Sequence, residues 1–338
     1  MPHRNIIVIG ASLGGVEALP QLIGALPRDL GAAVFVVMHM TADAGDYLPR
    51  QFNKIGRLPA ALAEDGEPIR MNRVYCAVAD RHLMIEGEHV RVSHGPKESH
   101  ARPSIDVLFR SAAFAKGDRV IGVLLTGVLD DGTAGLWAIK DRGGIAVVQS
   151  PDEAAYPGMP LSALQHVRVD HVVKIAEMPA VLASLTAAPP VTSMEGGMTD
   201  EKLRIENRIA LEDNAIELGI RELGAPSFFT CPECHGSMVA IKNGTFLRFR
   251  CHTGHGFTAR SLSEEGRQQI EKTLWAALAQ LEEREVLLGE MGQSARGLEA
   301  GAEAADRYAM ERDETHRLVK RLRDLLTDPA LRETVSRD

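Results

Sequence analysis

With 338 residues, 45% of them hydrophobic and 25% charged, the chain has the composition of an ordinary soluble globular protein and room for two domains. A net charge of −8 without any Lys/Arg run disfavours nucleic acid as a partner. No apolar stretch approaches the roughly 18 residues that span a bilayer, so membrane insertion is not expected. Of four cysteines, three crowd between Cys231 and Cys251, which is not the framework of a secreted disulfide fold. The opening "MPHRNIIVIGAS" offers no cleavage site for a secretory signal, and the expected compartment is the cytoplasm.

Residues 4 to about 185 alternate short apolar strands with helical stretches. The predicted strands are Ile6–Ile9, Ala33–Met38, Arg73–Ala77, His89–Val92, Val120–Thr126, Ile145–Val148 and His171–Lys174. Amphipathic stretches such as Val16–Leu26, Val107–Ala115 and Ala134–Arg142 lie between them. Continuous apolar strands separated by helices predict a doubly wound α/β fold with a mostly parallel sheet. "RVYCAVADRHLMIEGEHVRVSHG" carries two strand patterns joined at Gly87 and predicts a hairpin at the sheet edge. "LTAAPPVTSMEGGMTDE" has no periodicity and predicts a linker over 186–200. Beyond it, 201–218 reads as helix and "PECHGSMVAIKNGTFLRFRCHTGHGF" as a compact β-rich knuckle. Apolar stripes at Ile270, Leu274, Leu278 and Leu281, then at Tyr308, Thr315, Val319, Leu322 and Leu326, predict an antiparallel helical hairpin. The glycines of Gly289–Gly301 are expected to turn it. The expected modules are thus 1–185, a linker 186–200, a helix plus knuckle over 201–261, and a hairpin over 262–330.

In a doubly wound sheet, functional groups gather beyond the carboxyl ends of the strands. The first predicted strand runs into "GASLGG" and presents Ser12; the second ends in His39; "TGVLDDGTAG" brings Asp130 and Asp131. A hydroxyl, an imidazole and a carboxylate at one sheet edge are the set that nucleophilic acyl transfer needs. Backbone amides after Ser12 and in the later loop, at Leu13 and Val128, are the candidate oxyanion donors. Each residue also has a structural explanation: a helix cap or phosphate turn for Ser12, a strand-end histidine for His39, a turn for the aspartates. A dinucleotide site fits less well, because G-x-G-x-x-G spacing is missing and His39 stands where an acidic residue is needed. The Ser…Asp…His order of ordinary α/β-hydrolases would require His166 or His171 instead.

The segments "VIGASLGGVEAL", "VVMHM", "AEDGEPI", "ARPSIDVLF", "VLLTGVLDDGTAGL" and "YPGMPLSAL", in that order, resemble the catalytic domain of the chemotaxis protein-glutamate methylesterases, the CheB type. The resemblance covers residues 4–185. It implies a doubly wound α/β fold, hydrolysis of glutamyl methyl esters on methylated chemoreceptors or other signalling proteins, and deamidation of certain receptor glutamines. It implies Ser12 as nucleophile, His39 as base, Asp131 rather than Asp130 as the orienting acid, and backbone donors at Leu13 and Val128, with no catalytic cofactor. Leu13 stands where well-known members have threonine, and no receiver domain is expected ahead of residue 4. Those departures motivate a rival expectation, a scaffold or regulatory binding protein that keeps the fold without turnover.

Cys231-x₂-Cys234-x₁₆-Cys251-x₃-His255 pairs two knuckles with thiolate and imidazole donors, the form of a closed, structural Zn²⁺ site. His252 competes for the fourth position, and His235 less so. A knuckle followed by helices resembles the tail of some receiver-less homologues. A homo-oligomer through the helical tail is a further expectation.

Overall fold

Every position of Ile6–Ala11 is buried, because helices cover both faces of this strand, β1, at the centre of a seven-stranded sheet. The computed structural model describes residues 3–41, 44–189, 200–211, 214–297 and 301–328. After β1 come α1 (Gly15–Ala25), β2 (Ala33–Met38), α2 (Tyr47–Ile55), β3 (Ala60–Leu62) and β4 (Val74–Cys76). The ribbon β5 (His82–Glu86) and β6 (His89–Ser93) precedes α3 (Ile105–Lys116), β7 (Val120–Leu124) and α4 (Thr133–Asp141). Then follow β8 (Ile145–Gln149), α5 (Gly158–His166), β9 (His171–Val173) and α6 (Met178–Ala187). The sheet order is β3-β4-β2-β1-β7-β8-β9. All of its pairings are parallel.

Alternate residues of each strand feed two separate cores. Ile6, Val8, Phe35 and Val37 pack with Leu108 and Phe109 of α3 and Leu136 of α4. Ile7, Ile9, Val34 and Val36 pack with Leu19 and Leu22 of α1, Phe52 of α2 and Leu182 of α6. The chain therefore adds β2, β3 and β4 on one side of β1 first, and then β7, β8 and β9 on the other. That reversal makes the carboxyl ends of β1, β2 and β7 a topological switch point, where functional crevices form.

The hairpin predicted at the sheet edge forms, but as a two-stranded sheet of its own. Leu83, Ile85 and Val90 bury against the α3 core, so the ribbon lies in the helical layer rather than extending the sheet. Of the predicted linker, residues 190–199 fall outside the described residues, and α7 (Asp200–Ala210) begins directly after them. The helix predicted over 201–218 stops at Ala210. Turns over 214–219, closed by a left-handed Gly219, lead to a short α8 (Ile220–Leu223). Strands β10 (Ala225–Thr230), β11 (Ser237–Asn243), β12 (Phe246–Cys251) and β13 (Gly256–Thr258) form an antiparallel sheet in that order.

This small sheet and α7 join the α/β half through buried charge. Glu98 accepts from Arg110 of α3 (2.6 Å) and Arg250 of β12 (2.8 Å); Glu206 of α7 accepts from Arg248 (2.7 Å) and Arg250 (3.0 Å). Burial by itself would raise both carboxyls, but the surrounding guanidiniums outweigh it, holding Glu98 down at about 2 and Glu206 also far below the usual carboxylate range. Residues up to Leu262 form one compact unit, and those from Ser263 form a second.

In the second unit, α9 (Ala259–Arg296, of which the part from Ser263 belongs here) packs antiparallel on α10 (Ala302–Thr327). Leu278, Val319 and Leu326 form its core, and Arg284–Glu311, His316–Glu285 and Arg323–Glu282 pairs line the seam. Contrary to expectation, α9 continues through Gly289 and Gly292 to Arg296, so those two glycines do not turn the chain. Ile270, assigned to the inner stripe, is 63% exposed. Among the described residues no helix is long and apolar enough to cross a membrane.

Candidate active site

The polypeptide leaves β1 at Ala11 and turns sharply into α1. Gly14 closes that turn at φ +81°, where a Cβ would also press to 2.9 Å from the Thr126 hydroxyl. The Ser12 amide donates to the Thr126 carbonyl (3.0 Å) and the Gly15 amide to the Ser12 carbonyl (2.8 Å). The Thr126 hydroxyl donates to the Leu13 carbonyl (2.9 Å) and accepts from the Tyr156 amide (2.9 Å). Ser12 is thus fixed to the loop after β7 from both sides. That loop comes this close only because residue 127 is glycine: a Cβ there would lie 2.8 Å from the Ser12 Cβ and 2.1 Å from the Met159 sulfur.

His39 follows β2, its amide bonded to the Ala11 carbonyl (3.1 Å). Its Nδ1 lies 3.1 Å from Ser12 Oγ and its Nε2 lies 2.7 Å from Asp131 Oδ2. A hydroxyl, an imidazole and a carboxylate from the ends of β1, β2 and β7 therefore form one hydrogen-bonded line. Asp131 is almost wholly enclosed. Besides His39 it accepts from the amides of Ile105 (2.8 Å), Asp106 (3.1 Å) and Gly132 (2.9 Å) and from the Ser104 hydroxyl (3.1 Å). Burial alone would raise its carboxyl, but the His39 bond and charge, with the Ile105 and Asp106 amides, outweigh burial and hold it below its ordinary value. Asp106 goes the other way: burial and the Asp131 charge push it well up. Burial and charge thus drive the two neighbouring carboxyls in opposite directions, with the ionised form favoured on the one that faces His39.

Asp130 turns away from His39 and accepts from the Thr258 hydroxyl (2.8 Å); burial raises it to about 6. His166 packs on Phe246 and contacts the Thr245 hydroxyl, while His171 starts β9 at the amino ends of the strands. Neither histidine enters the site. The Leu13 and Val128 side chains are exposed, and among the described residues no acceptor bonds either amide. Val128 lies between Gly127, whose amide is tied to the Tyr156 carbonyl, and Leu129, held at φ +60°. Two groups escaped sequence reasoning. Ser104 and Asp106 lie in "ARPSIDVLF" and look like a helix start, yet Ser104 makes no cap bond and spends its hydroxyl on Asp131. Thr126, inside a predicted strand, sits just beyond β7 and anchors the Ser12 turn.

On the small sheet, donor atoms of Cys231, Cys234, Cys251 and His255 all lie within 4.8 Å of one another and could hold a metal ion. The Cys234 and Cys251 sulfurs are 3.6 Å apart, and His255 Nδ1 lies 3.7 Å and 3.6 Å from those of Cys231 and Cys251. The Thr253 hydroxyl borders the cluster, 3.0 Å from the Cys251 sulfur. His252, its ring against Gly236, and His235 are both exposed and outside the set.

A family model described as CheB methylesterase matches residues 7–182, about half of the chain. A putative protein-glutamate methylesterase/protein-glutamine glutaminase of Leptospira interrogans (serovar copenhageni, strain Fiocruz L1-130) is 40% identical over 180 residues, 52% of this chain and 93% of that protein. Protein-glutamate methylesterase/protein-glutamine glutaminase 1 of Geobacter metallireducens is 38% identical over 189 residues, 53% of this chain but only 52% of its own length. The crystal structure of the Thermotoga maritima CheB methylesterase catalytic domain matches with a TM-score of 0.52 at 30% identity, covering 54% of this chain and 98% of that one. Sheet order, switch-point crevice and these likenesses agree: the chain belongs to the CheB methylesterase family of carboxyl-ester hydrolases.

Proposed function

We propose that residues 1–185 hydrolyse glutamyl methyl esters of a methylated chemoreceptor-like or other signalling protein, with Ser12 as nucleophile. The observation that carries this reading is the continuous Ser12–His39–Asp131 hydrogen-bonded line at the switch point. Ser12 Oγ attacks the ester carbonyl carbon while His39 Nδ1 takes its proton. Asp131, already ionised, stabilises the imidazolium. The tetrahedral oxyanion is received by the Leu13 and Val128 amides, each worth about 10²–10³ in rate in comparable sites. Collapse breaks the bond to the methoxy oxygen, and His39 returns its proton to release methanol. A water then attacks the acyl-serine with His39 as base, giving the glutamate carboxylate, one proton and free Ser12. With a glutamine side chain the same steps release ammonia.

The module at 201–261 we read as a structural zinc site. Bonds of about 2.3 Å to sulfur and 2.0 Å to nitrogen at a tetrahedral ion would separate donors by about 3.5–3.8 Å. Three of the six donor separations, at 3.6–3.7 Å, match that ion, and all six lie within 4.8 Å. With four protein donors no position is left open for substrate, and the chemistry of the ester belongs to the triad. A cytoplasmic setting suits both the thiolate site and the substrate class.

A fluorophosphonate probe followed by mass spectrometry tests the nucleophile. Labelling is expected at Ser12, absent in Ser12→Ala, and accompanied by methanol release from a methyl-esterified glutamyl peptide. An intact fold that neither labels nor releases methanol sinks the proposal and favours a scaffold.

A further inference from the structure

The metal-binding sheet is not hung on the catalytic half at random. Its last strand, β13, begins at the residue after His255 and runs along the segment that borders the crevice at His39. The Ser99 amide donates to the Gly256 carbonyl (2.7 Å) and the Gly256 amide to the Lys97 carbonyl (3.2 Å). The Ser99 and Ser261 hydroxyls meet at 3.1 Å. His100 lies edge-on to Phe257, with ring centroids 5.1 Å apart, and its Nδ1 is 3.0 Å from Glu233. Glu233 sits between the two cysteines of the first knuckle. His39, Met40, Ser99, His100 and Arg102 line a cleft of about 310 Å³ along this segment.

Two details give these contacts mechanical meaning. Ser99 and His100 are consecutive non-glycine residues at φ +48° and +61°. Such a pair persists only where surrounding contacts over-determine it, and β13 with the first knuckle supplies them. Immediately downstream, Ser104, Ile105 and Asp106 hold the Asp131 carboxylate, so a shift of the wall is passed to the group that orients His39. From the other side, Thr258 of β13 holds Asp130, the neighbour of Asp131, and is itself fixed by Ser261. β13 therefore grips both chain segments that present and support Asp131.

We propose that β13, anchored by the metal knuckle at its start, is a positioning element for the catalytic centre, with Thr258 and Ser99 as its positioning residues. Loss of the metal releases β13, loosens the 97–103 wall and the Asp130–Asp131 loop, and slows the chemistry at Ser12 without touching a reacting group. This rests on Ser12 being the nucleophile. Groups that support a reacting site indirectly, when misplaced, typically cost about 10–100-fold.

The test uses the full chain and the second-order rate of fluorophosphonate labelling at Ser12, with metal content and melting temperature recorded for each variant. Thr258→Val is expected to label about tenfold more slowly with its metal retained, and Thr258→Ser, which keeps the hydroxyl, to recover to within about twofold. Ser99→Ala, which removes the Ser99–Ser261 bond on the other segment that β13 grips, provides a second, milder probe should the valine variant not fold. In wild type, chelation is expected to slow labelling in step with zinc released to a colorimetric indicator, and added zinc to restore it. Wild-type rates in both Thr258→Val and Ser99→Ala, or full labelling after the metal is stripped or in protein that purifies without it, would overturn the proposal. Failure of wild type to label at Ser12 instead overturns the assignment of the nucleophile on which it stands.

Discussion

Replacing Asp131 by asparagine should cost about 10⁴ in turnover, and the hydrogen bonds show why. Oδ1 of Asp131 accepts from Ser104, Asp106 and Gly132; Oδ2 accepts from Ile105 and His39. An asparagine can place its carbonyl oxygen on only one side. The three-donor side is favoured, because the opposite choice would set the amide nitrogen against three N–H or O–H groups. The nitrogen then faces His39 Nε2 and forces that atom to be an acceptor. The ring proton moves to Nδ1, where it points at Ser12 Oγ and can no longer take the serine proton. A 10⁴-fold loss corresponds to about 5.5 kcal/mol at about 1.4 kcal/mol per decade. The same nitrogen also meets the Ile105 amide donor to donor, an unsatisfied contact worth about 1–3 kcal/mol of fold stability. Methanol release from a methyl-esterified peptide and the labelling rate at Ser12 both measure the catalytic loss, and urea unfolding measures the stability loss. An Asp131→Asn protein within tenfold of wild type in labelling rate would show that Asp131 does not set the His39 tautomer.

Glu206→Gln removes one of the two buried carboxylates that neutralise Arg110, Arg248 and Arg250 and should lower unfolding free energy by about 3–5 kcal/mol; a urea-measured loss below about 1 kcal/mol would refute the network's role. Glu98, brought down to about 2, stabilises the fold above its unfolded value and loses that contribution as pH falls from about 4.5 through 2, so acid unfolding of wild type should steepen in that window. Asp130 has the opposite sign. Its folded value, raised to about 6, lies above its unfolded value of 3.8, so the protonated form is favoured on folding and that stability disappears as pH rises through 6. Asp130→Asn keeps an acceptor for Thr258 while removing the ionisation. It should therefore be more stable than wild type by up to about 3 kcal/mol at pH 8 and level with it near pH 3.5, and equal stability of the two proteins at pH 8 would refute the assignment.

What the sequence made legible was whatever depends on local pattern. Ile6–Ala11 and Ala33–Met38 are buried on both faces, so their apolar runs carry a strong strand signal, and the residues that follow them fall at the switch point by topology. Ser12 and His39 were therefore visible as strand-end residues before any contact was known. The choice between Asp130 and Asp131 was not a matter of local pattern. Both precede a glycine turn, and only a carboxylate's partners, Ile105 and Ser104 on one side and Thr258 on the other, separate them. The β5–β6 hairpin was legible as a hairpin, but its place depended on Leu83 and Ile85 meeting α3, a tertiary contact without a local signature. Gly289 and Gly292 look like turn residues because glycine weakens a helix by about 1 kcal/mol, a preference overridden within a 38-residue α9 that packs on α10 through Leu274, Leu278 and Leu281. The grip of β13 on the 97–103 wall likewise has no local signature. Its residues Gly256 and Thr258 lie more than 120 positions from Ser99 and Asp130, and the signal at that place in the chain is dominated by cysteine spacing. Cysteine and histidine spacing announces that a metal can be held; what the held strand then presses against is decided only when two distant segments meet. In this chain they meet beside Asp131, where Thr258 bonds Asp130 and Gly256 bonds the Ser99 amide.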